Sequence, residues 1–275
     1  MQNKKKLRNG VLAICTSVTL LLTSCTTNDE STTIENATTE NATNAEIDNK
    51  ALTAKIGDNF YANRTGTDNG FFYTIDKDGS MGSAYMNFDG AATYKGNFTM
   101  AWNGVKQVVG GKGWSAGSNR VINYNVGSLS GAVKFVGVYG WTTSPLTEYY
   151  IVEMGPGAIY NKGKVGTGAT TVTYTADNRQ YALTRAFRKQ APSIKGTADF
   201  WQVESLRTGA KATKGQNNSV TMTTHFTNWR KYLNTSAGNT FGVTTGGGYM
   251  VFGCEAYDYT STNASVTGSI NATIW

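Results

Sequence analysis

From residue 56 onward the chain is a succession of short runs in which apolar and polar residues alternate, each closed by Gly, Asn or Asp. This pattern constrains the fold more than any other feature. Examples are "GFFYTI", "GNFTMAW", "RVINYNVG", "VKFVGVYGW", "EYYIVEM", "DFWQVESLR", "YMVFGCEAY" and "GSINATIW". Successive side chains of a strand point to opposite faces, so period-two alternation marks half-buried strands, and closely spaced turn residues mark hairpins. Only "HFTNWRKYL", residues 225–233, has helical spacing, with Phe226, Trp229 and Leu233 along one side. One short helix in an otherwise all-β chain predicts a sandwich or jelly roll. The 32 glycines and 15 tyrosines suit curved sheets with aromatic faces.

The first 55 residues stand apart. Residues 1–24 open with Lys4, Lys5, Lys6 and Arg8 and continue into an apolar run, the pattern of a secretory signal. That run is too short to span a membrane. It ends in Leu22-Thr23-Ser24-Cys25, which resembles the lipobox of bacterial lipoproteins. The resemblance implies cleavage before Cys25 and diacylation of that cysteine; the alternative is an ordinary signal peptide with a chance cysteine. Residues 25–55 are rich in Asn and Thr and too poor in large apolar groups to offset their ordering entropy, which predicts a disordered tether. The folded domain is expected over residues 56–275. Asp29 and Glu30, soon after Cys25, resemble a surface-export signal of some Gram-negative lipoproteins. The expected location is therefore the cell envelope, at the outer membrane or cell surface, with secretion as the alternative.

The remaining inventory narrows the chemistry. Residues 51–275 carry 20 basic and 12 acidic residues, a net charge of +8. This favours an anionic polymer, yet no basic run or helix suggests nucleic acid. His225 is the only histidine, which argues against a Ser-His-Asp triad or a multi-histidine metal site. Its expected role is that of a satisfied core or surface residue. Cys254 falls on the strand face opposite Glu255 and reads as a packing residue. With Cys15 in the signal and Cys25 the expected lipid site, no intramolecular disulfide remains. The glycine-rich "GGKGWSAG" and "TTGGGYM" match no phosphate loop and read as sheet edges or turns.

Paired carboxylates are what is left. In "EYYIVEM", Glu148, Tyr150 and Val152 share one face, while Tyr149, Ile151 and Glu153 share the other. In "YMVFGCEAY", Tyr249, Val251, Gly253, Glu255 and Tyr257 share one face. Two strands thus each present a glutamate among tyrosines. A buried, unpaired carboxylate is costly, so such groups are hydrogen-bonded, wet or functional. If the strands face one cleft, the pair suits the nucleophile and general acid of a glycosidase, with one pKa raised by its neighbour's charge. Edge glutamates facing solvent are the competing reading.

The series "YGWTTSPLTEYYIVE", "APSI", "FWQVESLR" and "YMVFGCEAY…INATIW" resembles the family 11 glycoside hydrolases, endo-β-1,4-xylanases, in order from about Asp68 to Trp275. The resemblance implies a β-jelly roll of two strongly curved antiparallel sheets with one short helix, a xylan substrate, and no metal or organic cofactor. It implies Glu148 as retaining nucleophile and Glu255 as general acid/base, a pair that such enzymes hold about 5–5.5 Å apart. Tyr139 and Tyr150 match tyrosines near the nucleophile, Arg188 a nearby arginine, Gln202 a sugar-binding glutamine and Tyr249 a cleft tyrosine. Pro192, Ser193 and Ile194 match the tip of a thumb loop that closes over substrate. Glu153, on the other strand face, is expected to be structural or solvent-exposed. A lipid-anchored monomer acting on xylan follows from these readings together.

Four positions depart from the family pattern. Asp76 stands where a tryptophan usually stacks on a xylose, Glu204 where another tryptophan is usual, and Val133 in place of an asparagine. Gln107 aligns with the Asn or Asp that tunes the acid/base. On this resemblance the departures cluster at glycone binding and acid tuning, while both glutamates remain. A non-catalytic or weakly active glycan-binding protein on the same fold is the alternative function. A jelly-roll β-glucanase is a third reading, disfavoured by the "PSI" thumb and the "EYYIVE" strand.

Overall fold

The computed structural model describes residues 60–88, 95–163, 165, 169–233 and 248–275, all within the compact unit Glu46–Trp275. The signal segment, Cys25, the tether and residues 56–59 lie outside the described residues.

Among the described residues fifteen strands form in chain order, following the alternating runs. They are β1 (Phe60–Tyr61), β2 (Arg64–Asp68), β3 (Phe71–Asp78), β4 (Ser83–Asn87), β5 (Asn97–Val105), β6 (Gln107–Trp114), β7 (Val121–Ser130) and β8 (Phe135–Thr143). After these come β9 (Leu146–Met154), β10 (Val172–Ala176), β11 (Arg179–Ser193), β12 (Gly196–Arg207), β13 (Asn217–Thr221), β14 (Met250–Tyr257) and β15 (Val266–Ile274). A six-stranded sheet runs β1-β4-β5-β15-β7-β13 and a nine-stranded sheet runs β10-β11-β12-β9-β8-β14-β6-β3-β2. Among the described strands every ladder is antiparallel except that of β12 with β9. Two sheets, with one helix among the described residues, make the expected β-jelly roll.

The helix, α1 (Met222–Leu233), starts three residues before the expected "HFTNWRKYL". Met222 is buried and extends the apolar stripe of Phe226, Trp229 and Leu233 by one turn. Arg230 and Lys231 in the last turn suit the negative end of the helix dipole.

The two faces of the nine-stranded sheet serve different purposes. Between the sheets lie Phe98, Met100, Tyr124, Val138, Tyr149, Ile151, Phe252 and Cys254, together with Phe226 and Trp229 of α1. On the other face, Val109, Phe135, Tyr139, Trp141, Tyr150, Phe200 and Val251 form a separate aromatic cluster. The alternation in "EYYIVEM" therefore sorts side chains as expected, and Cys254 packs in the core.

Glu153 is not solvent-exposed. It is fully buried among the core residues and accepts hydrogen bonds from Tyr181 Oη (2.5 Å), Tyr124 Oη (2.6 Å) and Arg207 Nη1 (2.9 Å). A buried carboxylate persists only with such compensation, so the structural half of the expectation holds and the exposed half does not. His225 is likewise wholly buried, with Nδ1 2.6 Å from Tyr174 Oη, and burial presses its pKa down to about 3. It is a neutral core residue.

Candidate active site

Register brings the functional side chains together. Trp141 of β8 and Gln202 of β12 both stand opposite Glu148 of β9, and Tyr139 stands opposite both Tyr150 of β9 and Val251 of β14. Glu255 follows on β14, opposite Val109 of β6. Between Val251 and Glu255, Gly253 lets β6 approach closely: a Cβ there would fall 1.8 Å from the Gly110 carbonyl oxygen. The two glutamates thereby line one cleft of about 1170 Å³.

Both carboxylates are buried, Glu148 to 8% exposure and Glu255 to 5%, so neither is an edge residue facing solvent. Their surroundings differ. Glu148 Oε1 accepts from Tyr139 Oη at 2.9 Å and Oε2 accepts from Gln202 Nε2 at 2.7 Å. Trp141 Nε1 donates to Tyr139 Oη at 2.8 Å, which fixes the phenol so that its own hydrogen points at the carboxylate. Burial raises the Glu148 pKa, and hydrogen bonds from Gln202, Tyr150 and Tyr139, then the Arg188 charge, oppose the rise. Glu255 has one such partner among the described residues, Gln107, whose Nε2 lies 2.5 Å from Oε1. Burial first and the Glu148 charge second push the Glu255 pKa up to about 8, with Gln107 opposing. One carboxyl is thus pushed toward its protonated form, while donors on both oxygens of the other oppose the effect of its burial. Opposed environments of this kind divide acid from base in a site.

The other expected residues take their places around this pair. Tyr139 packs with its ring tilted against Tyr150 (5.3 Å between ring centres) and edge-on to Tyr249 (5.9 Å), with Phe135 edge-on to Tyr150. Burial pushes the phenols of Tyr139 and Tyr150 well above the ordinary tyrosine range, so they act as neutral donors. Arg188 lines the cleft from β11, at a register shift between Arg188 and Ala191. Beyond it β11 and β12 form a long hairpin. At its tip Ser193 Oγ donates to the Gly196 carbonyl at 2.6 Å, and Gly196 takes a positive φ of 82°. Pro192, Ser193 and Ile194 line the cleft from this hairpin, and Lys195 Nζ donates to the Thr143 carbonyl at the end of β8 at 2.9 Å.

Among the departures, Asp76 lines the cleft as expected, its carboxyl raised by burial and then by Asp78. Glu204 does something else. Fully buried next to Tyr150 in the register, it accepts backbone N–H bonds from Ala158 (2.5 Å) and Ile159 (3.2 Å), with Lys162 Nζ at 3.5 Å. It anchors the segment after β9 and is no wall of a sugar site. Gly157 fits beside it because a Cβ would meet the carboxylate at 2.9 Å.

Sequence reasoning missed Trp141, Tyr160, Tyr257 and Tyr259, all of which line the cleft. Trp141 was within reach, since it shares a strand face with Tyr139. Tyr257 was placed on the Glu255 face without a role. Tyr160 and Tyr259 lie outside regular strands, where periodicity carries no signal.

The model for "Glycosyl hydrolases family 11" matches residues 68–267. Endo-1,4-beta-xylanase 11A of Botryotinia fuckeliana is 39% identical over 206 residues, covering 74% of this chain and 82% of that protein. An ethylene-inducing xylanase of Penicillium digitatum is 35% identical over 188 residues, covering 68% and 77%. Endo-1,4-beta-xylanase 11B of Humicola insolens is 34% identical over 194 residues, covering 70% and 59%. The matched span contains both glutamates, the tyrosines around them and the β11–β12 hairpin, and the chain belongs to glycosyl hydrolase family 11.

Proposed function

We propose that the chain is an endo-1,4-β-xylanase that hydrolyses xylan with retention of configuration. The observation that carries the mechanism is the unequal setting of two buried glutamates in one cleft: Glu148 with donors on both oxygens, Glu255 with a pKa raised to about 8.

Glu148 attacks the anomeric carbon of a bound xylose while Glu255 gives its proton to the departing glycosidic oxygen. The C–O bond breaks and a covalent xylosyl ester forms. Glu255, now a carboxylate, takes a proton from water as that water attacks the same carbon and releases Glu148. Two inversions give net retention. Tyr139 and Gln202 hold the Glu148 carboxylate in one orientation, so little reorganisation is needed when it attacks. Tyr150 lies beside both groups as a neutral donor, and Arg188 offers positive charge to the pair. Pro192, Ser193 and Ile194 close over the sugar from the hairpin tip.

The Cys25 lipid anchor and the tether belong to the same proposal. They would hold a monomeric domain at the cell envelope, where it meets polymer outside the cell. The supporting observation is the Lys-rich leader that ends at Leu22-Thr23-Ser24-Cys25.

Reducing-sugar release from soluble xylan by the purified protein, beside Glu148→Gln and Glu255→Gln, tests the activity. Release by the parent that is lost in both variants is expected. A parent that binds xylan yet releases nothing would establish instead the glycan-binding alternative, which Asp76 in the place of a stacking aromatic favours.

A further inference from the structure

The Tyr259 hydroxyl lies 3.1 Å from Gln107 Oε1 and 3.2 Å from Asp78 Oδ2. It carries one hydrogen and can donate to only one of them at a time. Gln107 is also the residue that touches Glu255. Two arrangements of hydrogens therefore satisfy the same heavy-atom positions.

In the first, Tyr259 donates to the Gln107 oxygen, and the Gln107 amino group donates to Glu255 Oε1. That oxygen is then an acceptor only, so a proton on Glu255 sits on Oε2, the oxygen left free for a leaving group. In the second, Tyr259 donates to the Asp78 carboxylate and accepts from a Gln107 amide turned by half a revolution. The Gln107 oxygen then faces Glu255 and accepts from a protonated Oε1, which holds the catalytic proton away from the substrate.

We infer that Tyr259 and Asp78 are positioning residues that set the amide orientation of Gln107 and so decide which oxygen of Glu255 carries its proton. The inference rests on the reading of Glu255 as acid/base. Tyr259 favours the productive arrangement by offering its hydrogen to Gln107, and Asp78 competes for that hydrogen. Neither residue touches the reacting atoms in this scheme.

Other groups share the surroundings. Glu255 is faced by Glu148 and Tyr150 of β9, Tyr139 of β8, Arg188 of β11 and Glu204 of β12. On its own strand stands Tyr257, with Lys134 Nζ 4.6 Å from the centre of that ring. Asp76 neighbours Asp78 on β3, and Lys106 Nζ lies 5.4 Å from the Tyr259 ring centre. These groups set the absolute position of the pH limbs. They are unchanged in the variants below, so differences between variants isolate the relay.

The test is the pH dependence of kcat and kcat/KM on a soluble xylo-oligosaccharide, using the full protein. Tyr259 is half exposed, and loss of its hydroxyl leaves no buried polar group behind. In Tyr259→Phe the amide is free to turn and protonated Glu255 gains an acceptor. The basic limb is expected to move up by about half a pH unit while kcat falls, the scale of one neutral hydrogen bond. In Asp78→Asn the competition weakens, and the limb is expected to move down.

Removal of the Asp78 charge would also lower the limb through space, so the decisive arm is Asp78→Asn in the Tyr259→Phe background. The relay requires that its effect shrink there. An equal shift in both backgrounds, or a Tyr259→Phe profile that overlays the parent, overturns the inference. Undiminished activity in Glu255→Gln would instead overturn the acid/base reading on which it stands.

Discussion

Loss of the Tyr139 hydroxyl isolates one of the supports that separate Glu148 from Glu255. That hydroxyl donates to Glu148 Oε1 at 2.9 Å and accepts from Trp141 Nε1 at 2.8 Å, and the residue is 4% exposed. In Tyr139→Phe, Glu148 keeps the Gln202 donor at 2.7 Å and the Tyr150 interaction. A hydrogen bond to a charged group contributes about 1.5–3 kcal/mol, and the lower figure applies because other donors remain. About 1.5 kcal/mol corresponds to roughly tenfold in rate, or roughly one pKa unit. The donor favours the ionised carboxylate, so its removal raises the Glu148 pKa above its already elevated position. The acidic limb of kcat/KM, which reports ionisation of the nucleophile in the free enzyme, is expected to move up by about one pH unit. Above that limb the rate is expected to fall about tenfold. Trp141 Nε1 also loses its acceptor in a buried setting, at a further cost to stability of about 1–2 kcal/mol, visible as a lower Tm. A pH–rate profile of purified Tyr139→Phe on a xylo-oligosaccharide measures the first effect and a thermal melt the second. A lower Tm with an unmoved acidic limb would refute the assignment of Tyr139 as a donor that maintains the Glu148 charge.

Three further outcomes follow from the geometry. Arg207→Met leaves Glu153 fully buried with only its tyrosine donors among the contacts described, so a loss of about 3–5 kcal/mol is expected in urea unfolding; a loss below about 1 kcal/mol would mean that Arg207 matters little to the core. Asp76→Trp places an aromatic ring on the cleft wall and removes a charge, and a KM for xylan lower by about threefold to tenfold is expected; an unchanged KM would show that no sugar passes over this position. Glu255, with a folded pKa of about 8 against an ordinary 4.5, binds more protons when folded than when unfolded between those values, so its contribution falls as pH rises through that window. Glu255→Gln is therefore expected to be more stable than the parent at pH 9 by about 2–4 kcal/mol, with the gap closing near pH 4; a pH-independent gap would contradict the raised pKa.

The legible and illegible parts of this fold divide along a physical line. Face assignment depends only on the two-residue period, and it placed Glu148, Tyr150 and Val152 on the cleft face and Cys254 in the core. Polarity alone left Glu153 open between a structural and an exposed role, because nothing local announces that Tyr124, Tyr181 and Arg207 converge on it from three other strands. The same limit hid the role of Glu204, whose partners Ala158 and Ile159 lie more than forty residues away in a segment without periodicity. Parallel pairing of β12 with β9, which sets Gln202 opposite Glu148, is likewise absent from any local pattern. Tyr259 reaches Gln107 because β14 and β6 pair with Tyr257 opposite Gln107, a register fixed by the whole sheet. The roles of Glu148 and Glu255 came from resemblance, since alternation by itself left solvent-facing glutamates open.

The most direct measurement is covalent trapping. A fluorinated xylobioside with a good leaving group slows both steps of a retaining glycosidase but spares the first more than the second, so the glycosyl-enzyme accumulates. Intact-mass spectrometry of the purified protein, followed by peptide mapping, is expected to find one glycosyl adduct on Glu148, and none in Glu148→Gln. Turnover of the corresponding unfluorinated xylobioside with no trapped adduct, or an adduct on another residue, would contradict Glu148 as the nucleophile.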